Sequence, residues 1–297
     1  MSQVLGRLVE QLALERIELD LFRGQSKDPG WGVVFGGQVL GQALSAAVQT
    51  VPADRPVHSM HAYFLRPGDV TKPIVYSVDR IRDGKSFTTR RVVAVQSGEA
   101  IFTMAASFQV SEVGLTHQDA MPEVPPPESV PTEREQAERS AHILPAHLLE
   151  RLRQDRPFEL RWIVPADDMF SSEPRPPDRM LWMRATGELP ADPALHAYLL
   201  AYASDLAFVT TALQPHGVTW RTRGLQVASL DHAMWFHEPF RADEWMLYVM
   251  HSPRTSGARG LVHGSVFSHD GRLVASTTQE GLMRVHQPAA PTGAPPA

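Results

Sequence analysis

The chain has 297 residues, of which 43% are hydrophobic and 21% charged, and a formal charge of −5. That composition describes a folded chain of about two domains and excludes fibrous and disordered classes. The weak negative charge without a dense Lys/Arg block leaves no nucleic-acid footprint, and the absence of cysteine removes disulfides, thiolate catalysis and Cys-based zinc sites.

No run approaches the roughly 18 apolar residues of a membrane helix, so no membrane span is expected. The N-terminal Met1 to Arg7 lacks the charged start and apolar core of a secretory signal, and the C-terminus does not resemble a peroxisomal address. A cytoplasmic location is therefore expected. Residues 2–13 carry Val4, Leu5, Leu8, Val9 and Leu12 at the spacing of an amphipathic helix. From Ile17 the alternation of Ile17, Leu19 and Leu21 predicts a strand with one buried face. The segment from Trp31 to Ala53 contains no charged residue, which predicts a helix covered on most sides. A strand-rich run follows from Val57 to Val110, punctuated by turn signals at Pro67-Gly68-Asp69, Arg82-Asp83-Gly84 and Ser97-Gly98-Glu99.

Residues 1–118 thus form a first lobe. Proline is so dense over 119–133 that an extended linker is expected, continuing as a partly helical, surface-lying stretch to residue 157. The second lobe, 158–286, contains one long helix starting at Asp192-Pro193 and carrying Leu195, Leu199, Tyr202, Leu206, Val209 and Leu213. Strands resume near Thr219, with turns expected at Ser252-Pro253 and His269-Asp270-Gly271. The Pro/Ala-rich tail, 287–297, reads as disordered. His61-Ala62-Tyr63-Phe64 matches His232-Ala233-Met234-Trp235-Phe236 at an offset of 232 − 61 = 171, and the helices match at 169. Each half therefore repeats one order, an uncharged helix followed by antiparallel strands.

Asp205 is the only residue between Pro193 and Leu213 that is charged at pH 7, with His counted as neutral. A carboxylate on an apolar helix is either a general base whose proton affinity burial has raised or an acid on a wet face. Ser229 lies in the apparent strand Ala228 to Phe236, where alternation puts Ser229, Asp231, Ala233 and Trp235 on one face, and Gln279 lies in another. Together the three residues could hold a water: the acid accepts its proton, the hydroxyl orients it, and the amide both donates and accepts.

Three runs carry a resemblance: Tyr198 to Asp205, Ser229 to His237, and Ala275 to Gly281. With Gly36-Gly37-Gln38 and His61 to Asp69 in the first half, they resemble the acyl-CoA thioesterase II family over residues 5–112 and 158–286. The resemblance implies an α+β double hot-dog fold, two antiparallel sheets each wrapped around a long central helix. It also implies hydrolysis of acyl-CoA to fatty acid and coenzyme A, without a cofactor, by a water held on Asp205, Ser229 and Gln279. The resemblance also implies a middle position that is Thr in many relatives, where this chain has Ser229. The corresponding first-half positions, near Gly36, His58 and Ser107, lack the acid, so that half reads as a non-catalytic copy.

Among the other candidates, His58, His61, His232 and His237 have no tight helical spacing or Cys partner, so no metal is expected. Gly36-Gly37 could aim N–H groups at an oxyanion or pack a helix closely. Lys85 in Gly84-Lys85-Ser86, Arg254 and Arg259 could contact coenzyme A phosphates or be ordinary surface bases, and the sequence singles out none of them. Two rival functions stand beside hydrolysis: a non-catalytic acyl-CoA binding protein, and an enoyl-CoA hydratase or dehydratase needing a His beside the Asp. Sheet edges and the resemblance favour a homo-oligomer.

Overall fold

The computed structural model describes residues 1–30, 32–142, 144, 146–163, 172–206, 208–219 and 222–286. The tail expected to be disordered, 287–297, lies outside the described residues, as do Trp31 and Ala207, which fall within the two expected helical segments.

Helix α1, Gln3–Leu12, begins where the Ser2 hydroxyl accepts the Leu5 N–H at 3.2 Å, and it buries Leu5, Leu8 and Leu12. The expected strand from Ile17 is instead a hairpin of β1, Glu15–Glu18, and β2, Leu21–Gly24. Asp20 turns the chain at φ 59, and Arg80 holds its carboxylate with both Nε and Nη2. All four residues of β1 are exposed, so the alternation of Ile17 and Leu19 marks no buried face.

Helix α2, Gly36–Val48, is buried from Gly37 to Ala47. Its two buried glutamines are committed: Gln42 Nε2 donates to Gln11 O at 2.7 Å, and Gln38 Nε2 donates to Gln25 O at 3.1 Å. Strands β3, Val57–Phe64, β4, Ile74–Asp83, β5, Phe87–Gln96, and β6, Glu99–Gln109, follow as the sequence predicts. Ser97 and Gly98 close the last hairpin with φ of 51 and 82, the left-handed pair that a two-residue turn requires.

The proline-rich stretch contains a 3-10 turn at Pro127–Ser129, and α3, Glu133–Arg139, and α4, Ala146–Arg153, follow it. It is a strap rather than a loose spacer. Met121, Val124 and Val130 pack on Trp182, Trp245, Leu247 and Phe267, and Trp182 Nε1 donates to Pro125 O at 2.9 Å.

The second half contains β7, Phe158–Trp162, β8, Asp178–Ala185, and then a helix that does not run through as predicted. It splits into α5, Pro193–Ser204, and α6, Phe208–Leu213, with Asp205 as the C-cap of the first. The break lets the chain change partners, because α5 lies along α2 whereas α6 lies on the sheet. The single strand expected across Ser229 is likewise two, β9, Leu225–Ser229, and β10, Asp231–Phe236. Strands β11, Met246–Ser256, β12, Arg259–Ser268, and β13, Leu273–Val285, complete the half. Ser252-Pro253 is no turn but an irregularity inside β11, where pairing to β12 shifts between His251 and Arg254. A proline with no N–H to donate is accommodated at such a bulge.

Two sheets were expected, but the strands form one antiparallel sheet of thirteen, ordered β1-β2-β4-β5-β6-β3-β10-β13-β12-β11-β8-β7, with β9 also on β13. The halves join where β3 pairs with β10, which removes two exposed edges at once. Met60 faces Met234, His61 faces Ala233 and Ala62 faces His232 across this seam. His232 shares the face of its partner Ala62, so His61 and His232 lie on opposite faces of the sheet. A one-residue step swaps faces, which is why His61 is exposed and His232 is fully buried.

Candidate active site

Helices α2 and α5 run antiparallel, and small residues set their approach. A Cβ added at Gly41 would lie 3.0 Å from Tyr198 O, and one at Gly37 would collide with Tyr202 O. The glycine pair therefore serves close packing of helix on helix. This brings the end of α5 to the start of α2, where Gly37 N–H donates to the Asp205 carboxylate. A Cβ at Gly36 would stand 2.6 Å from Asp205 Oδ2, so only glycine leaves the carboxylate room. The positive end of α2 faces this acid.

The other two predicted residues arrive from β9 and β13, which pair at Ser229 and Gly281. Ser229 Oγ donates to Asp205 Oδ1 at 3.4 Å, and Gln279 Nε2 donates to Ser229 Oγ at 2.6 Å. Gln279 also donates to Asp205. All three residues singled out in the sequence are thus in one hydrogen-bonded group. Burial pushes the Asp205 carboxyl up to about 6, opposed by hydrogen bonds from Gln279, Gly37 and Ser229. A carboxylate so placed is ionised near neutrality yet basic enough to take a proton from water.

The sequence put His232 on the face opposite Ser229, and the structure corrects this. Between β9 and β10 the ladder is interrupted at Leu230, and the Asp231 carboxylate accepts the Glu280 N–H at 2.7 Å in place of a main-chain partner. The slip turns His232 inward, where Nδ1 meets Gln279 Oε1 at 2.8 Å and Nε2 meets Ser204 Oγ at 3.0 Å. Burial lowers its basicity, to about 4, so it is neutral. A polar residue able to replace a ladder acceptor, Asp231, beside Ser229 was the signal for that slip.

The remaining candidates are dispersed. His58 Nε2 lies 2.8 Å from Ser107 Oγ in the first half, with Gly36 against Asp205 instead of with them. His237 bonds Ser276, and Arg259 is paired with Glu280 at 2.8 Å. Among the described residues no group of three His, Asp or Glu is arranged to hold a metal ion, and no helix is long and apolar enough to cross a membrane.

This architecture is shared with known structures. A conserved protein of unknown function with hot-dog fold from Alicyclobacillus acidocaldarius superposes with a TM-score of 0.76 at 23% identity, over 95% of this chain and 99% of that one. The fold is therefore a hot-dog built on a large antiparallel sheet. A family model described as acyl-CoA thioesterase matches residues 155–282, and one described as acyl-CoA thioesterase N-terminal domain matches residues 27–109. The chain is 44% identical over 284 residues to Acyl-CoA thioesterase 2 of Haemophilus influenzae, covering 96% of this chain and 99% of that one. It is 43% identical over 282 residues to Acyl-coenzyme A thioesterase 8 of Homo sapiens, covering 92% and 88%. The crystal structure of an acyl-CoA thioesterase II, TesB2, from Mycobacterium marinum has a TM-score of 0.76 and 43% identity, covering 98% of this chain and 100% of that one. The chain belongs to the acyl-CoA thioesterase family.

Proposed function

We propose that this enzyme hydrolyses acyl-CoA thioesters through a water held by Asp205, Ser229 and Gln279. The observation that carries this reading is the meeting of those three side chains, from α5, β9 and β13, around a carboxyl pushed up to about 6. Asp205 takes a proton from the water as its oxygen attacks the thioester carbon. The C–S bond of the resulting tetrahedral species then breaks, and the proton on Asp205 passes to the departing sulfur, giving a carboxylic acid and coenzyme A. The N-terminal end of α2, beside Asp205, supplies positive potential where the oxyanion develops. No cofactor enters the scheme.

The same reading treats the continuous sheet as two hot-dog halves, residues 1–118 and 158–286, curled about α2 and α6 and tied by the 119–157 strap. The first half is a non-catalytic copy, and the protein works in the cytoplasm as a homo-oligomer associating through the terminal strands β1 and β7 of the sheet. A covalent mechanism through Ser229 is disfavoured because His232 contacts Gln279 and Ser204 rather than activating that hydroxyl. That same placement argues against a hydratase, which wants the imidazole beside the acid.

The test is thiol release from a panel of acyl-CoAs by wild-type and Asp205→Asn proteins, read with a thiol-reactive dye to which the cysteine-free chain contributes nothing. Loss of the base should lower turnover about a hundred-fold or more. Near-normal turnover in the variant would overturn the assignment, and binding without release in the wild type would favour a carrier.

A further inference from the structure

We infer that His232 and Ser204 are positioning residues that hold the Gln279 amide in its working orientation, an inference that rests on the catalytic group proposed above. An ionised Asp205 can only accept, so the Ser229 hydroxyl must donate to it. Having spent its proton there, Ser229 Oγ accepts from Gln279 Nε2 at 2.6 Å, and the same amide nitrogen also donates to Asp205. Both hydrogens of the amide are then committed to the site, and Gln279 Oε1 must point away from it.

That oxygen lies 2.8 Å from His232 Nδ1, so Nδ1 must carry the proton. A neutral imidazole has one N–H, which leaves Nε2 as a bare acceptor needing a donor. The Ser204 hydroxyl, 3.0 Å away, provides it. Its competing acceptor is Ala201 O at 2.9 Å, one turn back in α5. One direction of donation therefore runs from Ser204 through His232, Gln279 and Ser229 to Asp205. The chain has a single alternative for a neutral ring. Were the proton on Nε2, Gln279 would have to turn its amide over and present Oε1 to Ser229 and Asp205, stripping two donors from the region of the base.

His232 and Gln279 are 0% and 1% exposed, so no bulk water can supply a missing partner freely. Tyr248 braces the same corner, with its hydroxyl donating to Ser204 O at 3.2 Å and lying 2.9 Å from Thr277 Oγ1. The groups facing the imidazole are thus all uncharged, and the tautomer is chosen by hydrogen bonding alone. Neither His232 nor Ser204 touches the reacting atoms.

The experiment compares the pH dependence of kcat for wild type, His232→Leu, His232→Asn and Ser204→Ala with the same acyl-CoA. Leucine removes the donor to Gln279. Asparagine restores an N–H near the Nδ1 position while leaving at least as large a void. The expected result is kcat lower by about ten-fold or more in His232→Leu. Its acid limb should move to higher pH as Asp205 loses donors, with KM little changed, and both effects should be largely reversed in His232→Asn. Ser204→Ala, a small change at a helix end, should move the acid limb in the same direction and covers the case in which the leucine variant fails to fold. Equal losses in the leucine and asparagine variants, with every acid limb where the wild type has it, would reduce His232 to a packing residue and overturn the inference. An Asp205→Asn protein with normal turnover would overturn the catalytic group and this inference together. An inactive Asp205→Asn beside a fully active His232→Leu would remove only the latter.

Discussion

Asp205 is a weaker acid in the folded chain than an ordinary aspartate, and that single difference has kinetic and thermodynamic consequences. Because burial pushes its carboxyl up to about 6, the base form is lost on acidification through that value. Turnover should fall about ten-fold for each pH unit below it, measured as kcat at saturating acyl-CoA. The linkage has the opposite sense. The folded carboxyl holds its proton between about pH 4 and 6, where the unfolded one has already lost it. Its contribution to stability is therefore present below the ordinary value of 3.8 and is lost as pH rises through about 6. Relative to wild type, Asp205→Asn should gain about 2 to 3 kcal/mol between pH 4 and pH 8 in urea unfolding, and an unchanged difference would contradict the raised value. At Ser229 only a hydroxyl is needed to join Gln279 to Asp205. Thr should keep kcat within about three-fold, its methyl restricting the rotamer, whereas Ala should lose about ten-fold or more. Thiol-release kinetics on the two variants separate these outcomes.

At the scale of elements, the contact between α2 and α5 is what brings an acid from one half to a helix terminus from the other. Gly37 is more tightly covered than Gly41, whose added Cβ would be 3.0 Å from Tyr198 O. Gly37→Ala should therefore destabilise by about 3 kcal/mol and Gly41→Ala by about 1, despite the higher helix propensity of alanine. Equal denaturation midpoints for both variants would show that the helices can separate without loss. The helix periodicity from Leu195 to Leu213 marked positions in both α5 and α6, but it carried on through Leu206 and did not reveal the interruption at Asp205. Spacing records which residues face inward, and α5 and α6 both face inward, against different partners. The same limit applies around Ser229. Alternation assumes an unbroken ladder, whereas the Asp231 side chain replaces one rung and re-aims His232.

Across the whole molecule, one core contains residues from α1, α2, α5 and strands of both halves, and the sheet is continuous through β3 and β10. The halves therefore complete each other. A chain of residues 158–286 alone would lack α2, whose Gly37 N–H supports Asp205, and would expose the β10 edge. It should be inactive and associate nonspecifically. Nicking the intact protein between Val113 and Leu115, both fully exposed, should instead leave two fragments that co-migrate in gel filtration and retain turnover. Fragments that part on nicking would contradict a shared core. The strap beyond that point is less dispensable, since Val124 and Val130 cover Trp182 and Trp245, and Arg184 lies 4.3 Å over the Trp245 ring.

The amino-acid sequence by itself determined the repeated order of helix and strands, the buried uncharged α2, the proline-rich strap and the three polar residues that meet at the site. Each of these is written in local terms: periodicity, proline content, an isolated charge in an apolar run, a motif. Tertiary structure alone decided that two expected sheets are one, that β3 meets β10 with Ala62 against His232, and that His232 joins the site while His61 faces outward. Those outcomes depend on which strand edges find each other and in what register. In a structure of period two, a shift of one residue reverses every face, and no local pattern records the partner's register.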